Sequence, residues 1–228
     1  MVTEDLQRMV IAIDGTAGSG KSSTSRGVAT RLGLRYLDSG AMYRAMTWQM
    51  LLDGVDVDDS EAVAARAETV RLESGTDPRD PSIRLSAADV SEQIRFAETT
   101  KAVSAVSAVP RVRQLLVDQQ RAIIGIGGIV IEGRDIGTVV APDAELKIYL
   151  VADPSARAAR RSAELSDGQR QDVSTVQTDL ISRDTHDSSR ATSPLRAADD
   201  AVVIDSTDLA LDEVITTIVG LVKDRLDE

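Results

Sequence analysis

The sequence predicts an α/β fold: a parallel β-sheet flanked by helices, plus a small antiparallel β-containing insert. Three observations predict it. Short β-branched runs alternate with helical stretches, the first run ends in a glycine-rich turn that opens a helix, and one segment breaks the alternation with short paired runs.

Taken in order, MVIAID (9–14) reads as a short buried strand, and Lys21 to Leu32 reads as a helix that Gly33 ends as C-cap. RYLD (35–38) is a second strand. SGAMYRAMTWQMLLDG (39–54) then opens with Ser39 as N-cap and closes on a glycine. Residues 70–94 carry short alternating runs around Gly75, Pro78 and Pro81, the pattern of an antiparallel hairpin patch set into the core. GIVIE (128–132), LKIYLVA (146–152) and AVVID (201–205) are further strands separated by helical stretches, and residues 211–226 form a terminal amphipathic helix. Trp48 and its apolar neighbours read as core.

Composition bounds the function. A chain of 228 residues fits one domain and buries roughly 70 to 75% of its unfolded surface. It has no cysteine, which excludes disulfides, thiolate metal sites and a Cys nucleophile. The net charge of −11 argues against binding nucleic acid or an anionic membrane, because the overall field repels long polyanions. No apolar run approaches ~20 residues and the N-terminus is acidic and polar, so the expectation is a cytoplasmic protein. No exposed apolar helix face obliges a dimer, and a monomer is expected.

The glycine turn carries the chemistry. Gly15-Thr16-Ala17-Gly18-Ser19-Gly20-Lys21-Ser22 satisfies G-x-x-x-x-G-K-[ST] after a strand and at a helix start, where a phosphate loop belongs. Its glycines let successive N–H groups turn inward to phosphate oxygens, Lys21 reaches the β and γ phosphates, and Ser22 meets Mg²⁺. The chain has no asparagine, which excludes the guanine-reading N-K-x-D motif and a protein-kinase catalytic loop. GIGG (125–128) precedes a strand, so it is not a dinucleotide fingerprint.

Three stretches point to a second anion site. LDSGAMYR (37–44) puts Ser39 at a helix start with Arg44 one turn on, PRVRQ (110–114) opens a helix with two arginines, and IEGRDIGTVV (131–140) places Arg134 and Asp135 at a strand's carboxyl end. Each alone fits ordinary salt bridging. Together, beside a phosphate loop, they favour a second nucleotide or phosphate pocket. A third basic group, Arg157, Arg160 and Arg161, lies in residues 154–171, with 157 and 161 on one helix face.

The blocks IDGTAGSGKS, LDSGAMYRA, VSAVSAVPRVRQLLVDQQR, IEGRDIGTVVAPDAELKIYL, SRDTHDSSRATSPL and AVVIDST occur in an order that resembles the bacterial cytidylate kinases, nucleoside monophosphate kinases that phosphorylate CMP. The resemblance implies a P-loop kinase core over 1–228, a CMP-binding insert at about 62–105 and a helical lid at about 154–171. It implies ATP with Mg²⁺ as donor, bound by Gly15 through Ser23 (Ser22 on the metal), and CMP or dCMP as acceptor. Ser39, Arg44, Arg134 and Asp135 would then hold the CMP phosphate and sugar, with Tyr43 in the same pocket, while Ser104, Arg111, Asp187 and Arg190 surround cytosine. Lys21, Arg134, Arg157 and Arg161 would be catalytic. The family often has another basic residue where His186 stands, and His186 is expected at the surface. Without the resemblance, a kinase of another small acceptor such as AMP or shikimate, or a regulatory ATPase, also fits the phosphate loop.

Overall fold

The structure, a computed structural model, describes residues 4–164, 172–190 and 192–227. Residues 165–171 of the expected lid lie outside the described residues. Five parallel strands form the central sheet: β1 (Val10–Gly15), β2 (Arg35–Asp38), β6 (Ile129–Gly133), β7 (Leu146–Val151) and β8 (Val202–Asp205), in the order β2-β6-β1-β7-β8. The order reverses at β1, so ligands are expected beyond its carboxyl end.

The strand sequences explain why both faces are covered. Ile11, Ile13, Val130, Ile148 and Leu150 share one core with Val28 of α1 (Lys21–Leu32) and with Val214 and Ile218 of α8 (Leu211–Leu226). The intervening Ala12, Leu37, Ile129 and Ile131 share the other with Met42, Met46 and Met50 of α2 (Ser39–Leu52) and Val112 and Leu116 of α5 (Pro110–Ile124). Each of the Val, Leu, Ile and Met side chains contributes about 1.5 to 3 kcal/mol by leaving water. Both faces being apolar, the strands read as continuous apolar runs without a period of two.

Local signals set the ends. Gly20 (φ 87°) opens α1 and Gly33 (φ 68°) closes it, and Pro110 starts α5 where its missing N–H costs nothing. The N-cap of α2 is Asp38 and not Ser39: the Asp38 carboxylate accepts the Ala41 N–H while its backbone stays extended, and Ser39 is already helical. The GIGG turn serves packing. A Cβ on Gly127 would lie 1.8 Å from the Arg8 carbonyl oxygen, so the turn lets the N-terminal segment cross closely.

The segment that breaks the alternation is a separate antiparallel sheet, β3 (Leu72–Ser74), β4 (Ile83–Leu85) and β5 (Ala88–Asp89). It lies between α3 (Ser60–Ala67) and α4 (Ala97–Ala108) and packs Leu72, Ile83 and Leu85 into the α2 core. Trp48 meets Phe96 edge to face at 5.7 Å beside it, as core. The Thr76 carbonyl accepts the Tyr36 N–H, tying this insert to edge strand β2, while Val203 on the opposite edge strand is 59% exposed. Beyond β7, α6 (Pro154–Glu164) and α7 (Val173–Ser189) pack on each other, with Ala158, Val176 and Leu180 buried around Ala17. Among the described residues no helix is long and apolar enough to cross a membrane.

Two glycines separate constraint from tolerance. Gly15 has φ 149° and a Cβ there would sit 2.0 Å from the Leu150 carbonyl oxygen, whereas nothing lies within 4 Å of a Cβ on Gly220 in α8. Gly15→Ala is expected to lower unfolding free energy by about 2 to 4 kcal/mol, and Gly220→Ala to raise it by about 0.5 to 1 kcal/mol. Urea titration of the two variants checks both signs.

Candidate active site

The phosphate loop runs from the end of β1 into α1, and its carbonyl groups are claimed by side chains from around it. The Gly15 carbonyl accepts Arg134 Nη1 at 2.5 Å, Thr16 accepts Lys21 Nζ at 2.7 Å, Ala17 accepts Arg157 Nη1 at 2.8 Å, and Ser19 accepts Ser206 Oγ at 3.3 Å. With Gly18 (φ 73°) and Gly20 in left-handed conformations, this tethering suits a loop that offers N–H groups to an anion. Ser22 and Ser23 are exposed at the start of α1, where the helix dipole adds positive potential.

Ser22 Oγ donates to Glu132 Oε2 at 3.0 Å. Glu132 stands at the carboxyl end of β6, buried, and also accepts the Tyr36 hydroxyl. Burial, and then the Asp38 charge, push its carboxyl above the usual range; burial, and then Arg134, pull the neighbouring Lys21 ammonium below its own. Among the described residues no group of three His, Cys, Asp or Glu could hold a metal ion. A hydroxyl and one carboxylate, completed by phosphate oxygens and water, fit Mg²⁺ as it is usually bound beside nucleotides.

Opposite the loop the structure brings together most of the expected acceptor residues. Buried Asp187 of α7 pairs with Arg134 Nε at 3.0 Å and with Arg190 Nη2 at 3.4 Å. Asp135, also buried, pairs with Arg113, whose guanidinium lies 5.3 Å from the Tyr43 ring centroid. Arg44 Nη1 donates to Thr100 Oγ1 at 3.0 Å, one turn of α4 before the partly buried Ser104. Ser39 uses its hydroxyl on the Glu132 carbonyl, at 2.6 Å.

Arginines crowd between the two halves. Burial lowers Arg44 to about 10, with Arg161, Arg95 and Arg134 adding to the fall against Asp38; burial lowers Arg183 to about 9, with Arg44 and Arg134 adding to it. Guanidinium stays protonated at neutral pH, so this is a concentrated positive field at the place where phosphates would meet.

Arg111 is not part of this assembly. It pairs with Glu68 and donates to Gln114 at 2.8 Å on the outer side of α5, while Arg113 turns inward to Asp135 and the Ser107 carbonyl. Two residues apart on a helix lie on nearly opposite sides, so only one of the pair can face the pocket. Arg160 is likewise structural, holding the Ser206 and Thr207 carbonyls at 2.5 and 3.1 Å. His186 is exposed on α7.

Four residues of the site carry little signal of their role in the sequence pattern: Glu132 ends a strand, Arg113 is one of two neighbouring arginines, and Arg183 and Asp184 lie in a polar helix. A carboxylate at the end of the strand beside β1 was the available signal for Glu132. Nothing local marked Asp184, which accepts the Ala17 N–H at 2.8 Å across 167 residues of sequence.

Asp14, buried at the end of β1, accepts the Ile136 and Gly137 N–H groups at 2.9 and 2.8 Å and so fixes the turn carrying Arg134 and Asp135. Burial pushes its carboxyl up from 3.8 to about 6, against those two hydrogen bonds. A raised acid keeps its proton longer in the folded state, so its contribution is fully present below about pH 4 and is lost as pH rises to about 6. Replacing it by Asn should remove about 2 to 3 kcal/mol of that pH-dependent fall. Urea unfolding of wild type and Asp14→Asn between pH 4 and 7 measures the difference in slope.

The cytidylate kinase family profile matches residues 11–224. Cytidylate kinase from Streptomyces griseus subsp. griseus is 54% identical over 219 residues, covering 95% of this chain and 94% of its own, and that from Streptomyces avermitilis is 52% identical with the same coverage. Among solved structures, an uncharacterized protein from Eubacterium ventriosum has a TM-score of 0.52 at 14% identity, over 95% of this chain and 99% of that one, a likeness of fold alone. With the family profile matched across residues 11–224 and half of all positions shared with named relatives, the chain belongs to the cytidylate kinase family.

Proposed function

We propose that this chain transfers the γ-phosphoryl group of ATP to CMP, giving CDP and ADP, and accepts dCMP as well. The observation that carries the reading is Arg134. One side chain donates to the Gly15 carbonyl of the phosphate loop and pairs with Asp187 of the opposite pocket, so the donor and acceptor halves share a cation at their junction.

No side-chain base is needed. The acceptor phosphate, with a second pKa near ~6, is already largely an anionic nucleophile at neutral pH, and catalysis then rests on alignment and charge stabilisation. Lys21 neutralises charge on the β and γ phosphates, and Arg44, Arg134, Arg161 and Arg183 surround the oxygens of the transferred group. Ser22 and Glu132 would hold Mg²⁺, which would supply neutralisation of the phosphate charge. Ser39, Tyr43, Arg44, Ser104, Arg134 and Asp135 form the acceptor pocket, with Arg113 in the place expected of Arg111.

Base choice follows from hydrogen-bond polarity. Cytosine offers an amino donor at N4 beside acceptors at N3 and O2, so the Asp187 carboxylate and the guanidinium of Arg190 or Arg113 complete its edge. Uracil presents an oxygen at that position and would set an acceptor against the buried carboxylate, a penalty of about 1 to 3 kcal/mol.

ADP formation measured with CMP, dCMP, UMP, AMP and no acceptor tests the assignment; turnover unaffected by CMP would refute it in favour of an ATPase, and preference for AMP would move it to another acceptor. Lys21→Ala should cut kcat by roughly 10³-fold or more in a folded protein. Arg113→Met should raise the KM for CMP about tenfold or more, and Arg111→Met should leave it within about twofold, since its partner is a half-exposed Glu68. Asp187→Ala should lower kcat/KM for CMP far more than for UMP. An unchanged ratio would remove Asp187 from base recognition.

A further inference from the structure

The resemblance implies a catalytic Arg157, and its observed bonds go to the phosphate loop itself. It is 4% exposed, and its Nη1 donates both to the Ala17 carbonyl at 2.8 Å and to Asp184 Oδ2 at 2.5 Å. The other Asp184 oxygen, Oδ1, accepts the Ala17 N–H at 2.8 Å. The backbone of a single loop residue is therefore gripped at both its donor and its acceptor by an ion pair whose members come from α6 and α7. Ala17 itself is buried against Ala158, Val176 and Leu180 of the same two helices, and Gly18 has room for little more, since a Cβ there would lie 3.3 Å from Leu180 and 3.4 Å from Arg157.

We propose that Asp184 is a positioning residue for the phosphate loop, acting through the Ala17 backbone and through Arg157 to set the loop's curvature before ATP arrives. The reasoning is one of valence and charge. The Ala17 N–H is spent on a carboxylate, so it cannot donate to a phosphate, and a carboxylate beside a triphosphate site is costly unless a cation neutralises it. Arg157 supplies that cation and, by taking the Ala17 carbonyl, fixes the peptide plane that also carries the Gly18 N–H. Asp184 lies three residues before Asp187, so one helix fixes the donor loop with one carboxylate and pairs with Arg134 in the acceptor half with the next.

The proposal rests on residues 15–22 being the ATP site, and a binding measurement separates the two. Asp184→Asn keeps the shape and an oxygen for the Ala17 N–H but sets an amide donor against Arg157, which breaks the clamp. Equilibrium titration with ADP, which involves no acceptor, should show about tenfold weaker binding, and steady-state kinetics should show a matching rise in the KM for ATP with the KM for CMP within about twofold. In an Arg157→Met background, where the clamp is already broken, Asp184→Asn should add little further loss, because the two act as one unit. Asp184→Glu, which restores the charge, should recover part of the ADP affinity. ADP affinity unchanged in Asp184→Asn would overturn the proposal, and so would parallel rises in both KM values together with a lowered melting temperature, the signature of a merely structural residue. Absence of ADP binding by the wild-type chain would instead overturn the donor-site reading beneath it.

Discussion

A loop that presents backbone N–H groups to an anion turns its carbonyl groups the other way, and those carbonyls need partners. That requirement organises this protein. Arg134 follows β6, Lys21 opens α1, Arg157 lies in α6 and Ser206 follows β8, and each reaches a carbonyl of residues 15–19. The elements around β1 thus converge on its carboxyl end because each contributes a donor there. Tethered from several directions, the loop has little freedom to lose when a phosphate binds, and such preorganisation is where much of the catalytic advantage of a charged site resides.

The sheet order then separates tasks. Strands β2 and β6, on one side of β1, deliver Ser39, Arg44, Glu132, Arg134 and Asp135; β7 and β8, on the other, lead to α6 and to Ser206. Helix α7 crosses this division. Arg183, Asp184, Asp187 and Arg190 recur at spacings of one, three and three residues, so they share a face, and that face meets the phosphate loop at one point and Arg134 at another. Buried carboxylates and guanidiniums in such a network are expensive singly and viable only when paired. Removing one member leaves its partner buried and unpaired.

The sheet, the phosphate loop, the capping glycines and the terminal helix were legible in the sequence because each is governed by local pattern: continuous apolar runs, a strained turn, a 3.6-residue period. The insert was legible as a break in rhythm, though not its packing on α2. Errors arose where two chemically equivalent choices lie close together. Asp38 and Ser39 are both good N-caps, and the backbone of the first is the one that stays extended. Arg111 and Arg113 differ only in which side of α5 they occupy, and that depends on where the helix packs. Glu132 and Asp184 escaped notice because their partners lie 110 and 167 residues away, where no periodicity reaches.

The bond between the Tyr36 N–H and the Thr76 carbonyl gives the insert a second meaning. An open parallel sheet has two rims of unpaired amides, each able to template the addition of a foreign strand. Here one rim, β2, is partly masked by the insert, whereas the other, β8, is four residues long and ends in Asp205. Excising the insert would thus uncover an adhesive margin, and the shortened protein would be prone to self-association.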